Sequence, residues 1–334
     1  MTALIEASKG LRDLTFQSVS CSHTGALLES TLPLWVITFW AEVLSLCEIQ
    51  QPWIWAEDAL SKWMRWWGKD SGLVERAYNS LSALSWSGKI KGFDDKEPIN
   101  TLVRYATHQW LTDVHEHQML NILQCELKFD HVANDVEMGN LWMMGFIQQV
   151  YKEWDLGTYN QGAYFKPARH LGQVLASRDR KQLKLLKNLE LLHWVTFDIN
   201  FETNSILYRD LFGEKVPEDV ICAVEWWTQY HSGHKFERGI LPITCQMDGY
   251  SCGLLAFNAL AHSSNPQGYP LLDGGVVAAD DAQLEVMLKV IERHTSYMVS
   301  NYYLLYFHIL QPFSVACGIS LNVFWIWHIS ESGK

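Results

Sequence analysis

A nearly uncharged segment that follows a tight turn and a cysteine places the strongest constraint on the fold of this chain. Asp248-Gly249 is a turn signal. Residues 253–262, directly after Cys252, are rich in Leu and Ala and contain no Asp, Glu, Lys or Arg. This composition predicts a helix packed inside a core. With 48% apolar residues, the 334-residue chain can build a core of sufficient size.

Cys252 is predicted to lie in the first turn of that helix. Unpaired backbone N–H groups and the positive end of the helix dipole favour a negative charge there, so we expect the pKa of the thiol to be lowered. Gln246, six residues upstream, brings a side-chain amide that can donate a hydrogen bond to an oxyanion. The alternative interpretation is a buried structural cysteine, which is the usual state of a free cysteine.

Charge and cysteine usage restrict the class of protein. The formal net charge of −11 argues against nonspecific nucleic-acid binding by the whole surface. Seven cysteines with irregular spacing and no CxxC pair do not form a disulfide framework, and they fit a reducing compartment. The N-terminus has no apolar signal-peptide segment. We therefore expect an intracellular protein, nuclear or cytoplasmic.

The N-terminal third divides into a polar segment and an aromatic-rich helical segment. Residues 1–30 are rich in Ser and Thr, and disorder is expected there. Residues 31–97 predict a helical extension, with one helix starting near Pro33, a second starting at Pro52, and a third over 71–84. Ten of the 16 Trp residues lie before position 150. They form either a partner-binding surface or part of a core, and the core is the favoured interpretation.

Residues 98–299 predict an α+β domain. Helical periodicity covers 101–127, and a basic helix with a solvated face is expected over 168–192. Two short strands joined by a polar turn, 193–199 and 206–210, predict a hairpin. A helix over 216–230 and a strand over 240–245 are expected next.

No metal site or cofactor is expected. His115 and His117 are two residues apart, so on a helix they point to different sides and cannot share a metal ion.

Four short motifs occur in a characteristic order. They are Trp110-Leu111-Thr112-Asp113, His193-Trp194, Asp210, and Gln246 to Gly253 with Cys252 inside it. Because the motifs occur in this order and with these gaps, the chain resembles the ubiquitin-like-protein-specific cysteine proteases, the SUMO-protease family of the papain-like superfamily. The resemblance covers about residues 100–300. Within the family, the chain looks most like the divergent copies carried by mobile elements in fungal genomes.

The resemblance implies a fold, a reaction and a partner. It implies a papain-like catalytic domain over 98–299 and a Cys252–His193–Asp210 triad with Gln246 as the oxyanion donor. The implied substrate is a ubiquitin-like protein ending in Gly-Gly, linked through a peptide or isopeptide bond. Trp110 and Trp194 would close over the two glycines. The implied partners are a ubiquitin-like protein and its conjugates, with no specific nucleic acid.

The hairpin geometry predicts which carboxylate orients His193. Asp198 lies about 16 Å along the same strand at ~3.3 Å per residue, on the opposite face. A turn centred near Glu202 would place residue 194 opposite Asp210, within reach of His193.

Some positions depart from the family pattern, and a second class of function stays open. Leu211-Phe212 follows Asp210, where the family has a small residue and then Leu. Thr244-Cys245 replaces the usual Pro-containing form. The chain is either an active protease, which the complete set of catalytic residue types favours, or a weak or inactive binding module or degraded mobile-element copy.

The C-terminal residues 300–334 form an apolar tail. Tyr302 to Ile329 contains no Asp, Glu, Lys or Arg over 28 residues, which is long enough for a membrane span of ~20 residues. Pro312, Gly318 and interior polar residues argue against a span, as does the lack of flanking basic clusters. An appendage outside the catalytic fold is the favoured interpretation over a tail anchor.

Overall fold

A computed structural model describes residues 18–20, 31–33, 35–66, 72–94, 96–129, 135–153, 156–189 and 193–317. At 18–20, 31–33, 35–36, 66, 156–158 and 301–317 only the backbone is described. The chain falls into two compact units. The first comprises Met1–Gly88 and Pro98–His108, and the second comprises Lys89–Glu97 and Gln109–Lys334. The domain boundaries expected from the sequence remain predictions.

The first unit is a helical extension. Strands β1 (Ser18–Ser20) and β2 (Thr31–Pro33) pair antiparallel. Helices α1 (Trp35–Trp66) and α2 (Gly72–Ser82) follow, and a 3-10 helix covers Ile99–Ala106. The structure supports the predicted aromatic-rich helical extension in part, since helices cover 35–66 and 72–82. The predicted break before Pro52 is wrong, because the helix continues on both sides of this residue. Proline removes one helical hydrogen bond and kinks a helix without always ending it.

The tryptophans of this unit are divided between interior and surface. Trp63 is buried, whereas Trp40, Trp55 and Trp86 are about half exposed. The Trp53 indole donates a hydrogen bond to the Trp86 carbonyl at 3.2 Å, which links α1 to the segment after α2. The expectation that these aromatics form a core therefore holds for only part of the set.

The second unit is built on a five-stranded mixed sheet. Its strands are β3 (Val136–Met138), β4 (Gln182–Leu189), β5 (His193–Asn200), β6 (Ser205–Arg209) and β7 (Glu237–Ile240), in that spatial order. The two outer pairs, β3–β4 and β6–β7, are parallel, and the inner pairs are antiparallel. Parallel neighbours need a crossover, and helices supply it on both sides of the central hairpin.

Helices make up most of the rest of the described part of the second unit. They are α3 (Asp113–Phe129), α4 (Met143–Glu153), α5 (Leu156–Gln161), α6 (Lys166–Ala176), α7 (Glu218–Ser232), α8 (Cys252–Ser264) and α9 (Val276–Cys317), with a 3-10 turn at Ala163–Phe165. The predicted α+β class is confirmed. Helix α3 starts later than the sequence indicates, because the 3-10 helix and an extended segment precede Asp113.

The two faces of the sheet have different partners. Side chains alternate across a strand. On one face, the odd-numbered residues of β4 and β5 form a hydrophobic cluster with α4, α6 and α7; these residues are Leu183, Leu185, Val195, Phe197 and Ile199. Even-numbered residues of β4 and β5 face α8, where Lys184 reaches Ser263 and the Trp194 ring approaches Gly253. Because both faces are covered, β5 is buried at its six inner positions.

Two sequence-based assignments near the sheet are wrong. The basic segment 182–189 is strand β4 and not the end of a helix, and Lys184 within it is fully buried. Pairing with β5 along the whole strand overrides its weak local pattern. The expected strand over 240–245 ends at Ile240, because β7 pairs with β6 only from Glu237 to Ile240.

The predicted hairpin and its turn are present, with a register one residue different from the expected one. Asn200 pairs with Ser205, and Thr196 pairs with Arg209. Continuing this pairing places residue 194 opposite 211 and not opposite 210. Asn200 Oδ1 accepts hydrogen bonds from the N–H groups of Glu202 and Thr203, and Asn204 has a φ of 51°. These turn contacts fix a four-residue turn.

Helix α9 continues from the catalytic-domain range into the apolar tail and is followed to Cys317. Among the residues that the structure describes, no helix has both the length and the apolar character needed to cross a bilayer. Much of the predicted tail, 318–334, lies outside the described residues. The status of 300–334 therefore stays a prediction.

A buried ion pair connects the sheet with α8. Lys184 and Asp198 are paired opposite each other on β4 and β5, with Nζ and Oδ2 2.5 Å apart. Lys184 Nζ also donates to Ser263 Oγ at 3.0 Å. Burial lowers the pKa of Lys184, against the effect of Asp198, which raises it. Removing one member of such a pair leaves an uncompensated buried charge.

We predict that Asp198→Asn lowers the free energy of unfolding by about 3 kcal/mol, because it isolates the Lys184 ammonium. Urea unfolding measured at pH 7 checks this. The matched control is Lys184→Met combined with Asp198→Leu, which removes both charges and should regain most of the loss. Equal losses in the single and double variants would contradict the argument.

A partly buried histidine lies in an aromatic cluster on the opposite side of the sheet from α8. Tyr159 Oη and His231 Nε2 are 2.7 Å apart, and the Trp227 indole donates to Tyr159 Oη at 3.2 Å. Burial lowers the pKa of His231 to about 4 and raises the pKa of Tyr159 to about 12. A side chain at Gly172 would overlap the His231 ring, so the helix backbone itself closes this cluster.

This cluster predicts a pH dependence of stability. A histidine with a pKa near 6.5 unfolded and about 4 folded stabilises the protein above pH 6.5, and this stability is lost as the pH falls toward 4. Between pH 7 and pH 5 we expect a loss of about 2 kcal/mol from this residue. In His231→Gln the loss over the same interval should be smaller by about that amount, measured by urea unfolding at both pH values. An unchanged pH dependence would contradict the assignment.

Candidate active site

The ends of β5 and β6 bring His193 and Asp210 together. His193 is the first residue of β5, and Asp210 directly follows β6. Their Nε2 and Oδ2 atoms are 2.7 Å apart. The antiparallel register places the two residues at the same end of the hairpin, even though the expected pairing differs by one residue. Because Nε2 is bound to Asp210, Nδ1 is the ring nitrogen left for another partner.

Asp210 is held in place by the turn after β6. It is buried, and its Oδ1 accepts the backbone N–H groups of Phe212 at 2.7 Å and Glu214 at 3.4 Å. Gly213 has a φ of 78°, a conformation that favours glycine, so the chain can turn around the carboxylate. One oxygen is thus fixed by the backbone and the other is directed to His193.

Phe212 covers the imidazole. The two rings are stacked, with centroids 4.9 Å apart and planes 27° apart. Phe212 is 57% exposed, so it forms an apolar outer wall beside His193. The sequence identified this position only as a departure from the family pattern. Stacking restricts rotation of the ring and keeps it aligned with Asp210.

The turn before Cys252 is organised by Asp248. Its Oδ1 accepts the backbone N–H groups of Tyr250 and Ser251, each at 2.8 Å. Partial burial acts to raise the pKa of Asp248, but hydrogen bonds from Tyr250 and Ser251 outweigh it and lower the pKa. The carboxylate is therefore charged and ties the loop to the first turn of α8.

Cys252 is the first residue of α8, as the sequence predicts. The first intrahelical hydrogen bond runs from the Leu255 N–H to the Ser251 carbonyl, at 3.0 Å. The preceding N–H groups of α8 lack intrahelical partners. The backbone N–H groups of Trp194 and Gly253 act on the sulphur and lower the pKa of the thiol. Trp194 is next to His193 in the chain, so the start of β5 brings His193 and Cys252 to one location.

The expected direction of the pKa shift is not found. Burial is the largest effect and raises the pKa of Cys252, and the negative charge of Glu116 raises it further. Cys252 is only 5% exposed. The dipole and the N–H groups oppose this effect but do not exceed it. The thiol is therefore the resting form, and ionisation needs a base.

Gln246 lies beside this turn with its amide already hydrogen-bonded. Its backbone N–H donates to the Leu211 carbonyl at 3.2 Å, which connects the loop to the residue after Asp210. Its Nε2 donates to the carbonyl and Oδ1 of Asp248, at 2.9 and 3.2 Å. Its Oε1 is buried and has no hydrogen-bond partner among the described residues. The structure thus brings Gln246 into the site, with its donor held by Asp248.

Two tryptophans contact the same loop and helix start. The Trp110 indole N–H donates to the Gly249 carbonyl, and this ring is 46% exposed. Trp194 is buried. Its Cδ1 atom lies 3.4 Å from the point that a Cβ atom at Gly253 would occupy. Both predicted residues therefore lie around the Cys252 loop, one at the surface and one beneath it.

Glu116 is a site residue that the sequence analysis missed. It lies on α3, is fully buried, and neither carboxyl oxygen has a hydrogen-bond partner within the described part of the chain. Its carboxyl group lies against Gly253. The available signal was a charged residue within the apolar face of the predicted helix over 101–127.

Cys245 and a metal centre are the two alternatives to a site at Cys252. Cys245 is exposed, unlike Cys252. Within the described ranges, no group of three or more His, Cys, Asp or Glu side chains is arranged to hold a metal ion.

Comparison with known proteins bears on the fold of the chain. No protein-family model and no curated protein sequence match the chain. Among solved structures, the C-terminal Ulp1 protease domain in complex with Smt3, the yeast orthologue of SUMO, matches with a TM-score of 0.50 and 14% identity. The match covers 67% of this chain and 96% of that domain.

A second structure supports the same assignment. The SUMO protease Ulp1 with its catalytic cysteine oxidised to a sulfenic acid has a TM-score of 0.50 and 13% identity, over 67% of this chain and 95% of that one. At such identities the likeness is one of fold. The chain has the fold of the Ulp1-type SUMO-protease domain, and the predicted papain-like fold is confirmed.

Proposed function

We propose that the protein is a cysteine-type peptidase or isopeptidase that cleaves after the Gly-Gly tail of a ubiquitin-like protein. The observation that carries the proposal is the His193–Asp210 hydrogen bond of 2.7 Å at the end of the hairpin where the Trp194 N–H meets the Cys252 sulphur. This arrangement contains a nucleophile, a base and a residue that orients the base. The shared fold with a SUMO protease supports the choice of substrate class.

In the proposed reaction, His193 takes the proton of the Cys252 thiol. The Asp210 carboxylate holds Nε2 and stabilises the imidazolium, while Nδ1 receives the proton. The thiolate attacks the carbonyl carbon of the terminal glycine, and the electron pair moves to the carbonyl oxygen. His193 then protonates the leaving amine as the tetrahedral intermediate collapses to a thioester. Water deprotonated by His193 hydrolyses the thioester and restores the thiol.

The oxyanion is proposed to bind at the start of α8. The Cys252 N–H is one donor, since it has no intrahelical partner, and Gln246 is the other. Since Asp248 accepts from Nε2 of Gln246 in the free protein, one amide hydrogen must turn toward the oxyanion when substrate binds. Such contacts often tighten only in the complex.

The tail of the substrate is proposed to lie between Trp110 and Trp194. The exposed Trp110 ring and the buried Trp194 ring bound the Cys252 loop. A narrow slot between flat rings accepts residues without side chains, which is why a Gly-Gly tail fits. The partners are then a ubiquitin-like protein and its conjugates.

A second candidate function is a binding module that keeps the pocket with little or no turnover. The raised pKa and low exposure of Cys252 favour it. The engagement of Gln246 with Asp248 favours it as well. Covalent chemistry at Cys252 separates the two functions.

We predict that a ubiquitin-like protein carrying a thiol-reactive group in place of its terminal carboxylate captures the wild-type chain covalently. Cys252→Ala should abolish capture and retain reversible binding, because the partner surface is unchanged. Cys245→Ala is the matched control and should be captured as efficiently as the wild type. Gel shift and mass spectrometry measure capture, and calorimetry measures binding. Reversible binding without capture of the wild type would favour the binding module.

We predict that Asp210→Asn lowers turnover of a Gly-Gly-linked fluorogenic ubiquitin-like substrate by about 10²- to 10⁴-fold, because the imidazole loses the carboxylate that orients it. The control is Asp198→Asn, compared per folded molecule, since this variant affects stability. Its turnover should stay within about twofold of wild type. Equal losses in both variants would refute the role of Asp210.

A further inference from the structure

A buried carboxyl group without a hydrogen-bond partner lies against the start of α8. Glu116 is 0% exposed, and neither Oε1 nor Oε2 meets a donor in the part of the chain that the structure describes. Buried carboxyl groups are normally paired or hydrogen-bonded. A group that has no partner at such a position invites a functional explanation.

The carboxyl group occupies space that a glycine leaves open. A methyl group built at Gly253 would overlap Glu116 Oε1 and lie 3.1 Å from its Cδ. Gly253 directly follows Cys252, and its N–H acts on the Cys252 sulphur. The side chain of α3 therefore reaches the backbone next to the nucleophile.

Glu116 is electrostatically coupled to the nucleophile. Its negative charge raises the pKa of the Cys252 thiol. Burial, and then Asp113 on the same helix, raise the pKa of Glu116 well above its ordinary value. The other ionisable groups at this location are Asp248 in the loop before α8, which acts on Cys252, and His193, which precedes Trp194 on β5.

We propose that Glu116 is a positioning residue of this site, and that its protonation state controls the reactivity of Cys252. This inference rests on the proposed function, since it assigns a role within the same thiol site. As a neutral acid, Glu116 fits beside Gly253 and exerts no electrostatic repulsion on the thiolate. As a carboxylate, it places a second negative charge beside the sulphur and suppresses thiolate formation. The proton of the Cys252 thiol passes to His193 and not to Glu116.

The experiment measures the reactivity of Cys252 without requiring turnover. The full chain is alkylated with iodoacetamide between pH 5 and pH 10, and the modified peptide that contains Cys252 is quantified by mass spectrometry. Glu116→Gln preserves the size of the side chain and removes its charge. We expect the midpoint of the pH profile to fall by about 0.5 to 1 unit and the rate below both midpoints to rise about threefold to tenfold.

A second variant separates charge from shape. Glu116→Met has a similar length and neither charge nor hydrogen-bonding groups, and it should shift the midpoint by about the same amount as Gln. Profiles of both variants that superimpose on the wild-type profile would overturn the proposal. A shift in Gln alone would show that hydrogen bonding, and not charge, is responsible, and would overturn it as stated.

The contact with Gly253 has its own test. Gly253→Ala should lower the thermal unfolding midpoint of the wild type by several degrees, because the new methyl group displaces the buried carboxyl. In a Glu116→Ala background the same change should be neutral or stabilising, since alanine favours a helix and fills the vacated space. An equal loss in both backgrounds would show that Glu116 does not lie there.

The proposed substrate and the proposed role of Glu116 can be refuted separately. Failure of the wild type to be captured by the reactive ubiquitin-like probe, together with a shifted alkylation profile, would refute the proposed substrate and leave the Glu116 role intact. Normal capture with an unshifted profile would refute the Glu116 role alone.

Discussion

Enclosure of α8 is the constraint on which the rest of the second unit depends. Ten consecutive residues of this helix, Cys252 to Ala261, are buried. A helix with no exposed face has to be surrounded, and here β4 and β5 lie on one side while α3 and α9 pack around it. The polar groups that the sheet directs toward it, Lys184 and Asp198, are paired with each other and with Ser263. Burial thus fixes where the helix begins, and Cys252 lies at that beginning.

The same enclosure determines the chemistry of the thiol. Desolvation raises the pKa of Cys252, whereas the Trp194 and Gly253 N–H groups lower it. Desolvation is the larger effect, so the thiol is neutral at rest. Asp210 and the Phe212 ring fix the orientation of His193. In the proposed function, His193 is the group that removes the thiol proton.

The loop before α8 connects these parts. Asp248 binds the N–H groups of Tyr250 and Ser251 and the amide of Gln246. The Gln246 backbone binds the residue after Asp210. A displacement of the loop therefore moves both Gln246 and the turn that holds Asp210.

Local sequence pattern was sufficient to predict several elements of this protein. The uncharged run after Cys252 specified a buried helix, and the polar turn between two apolar segments specified the hairpin that carries His193 and Asp210. The fold class followed from the order of these elements. Some assignments failed because distant contacts override local preference. Residues 182–189 have a weak local signal but form β4 because β5 pairs along their whole length.

The electrostatics of the site, in contrast, depend on how the helices and strands pack. The sequence placed Cys252 at a helix start and therefore indicated a lowered pKa, but the depth of burial reverses that direction. No sequence signal links Glu116 on α3 with Gly253 on α8. Their approach depends on how the two helices pack and on the absence of a Cβ atom at Gly253. Local pattern fixes which residues share an element. Desolvation and charge coupling depend on which elements meet, and that is a property of the packed core.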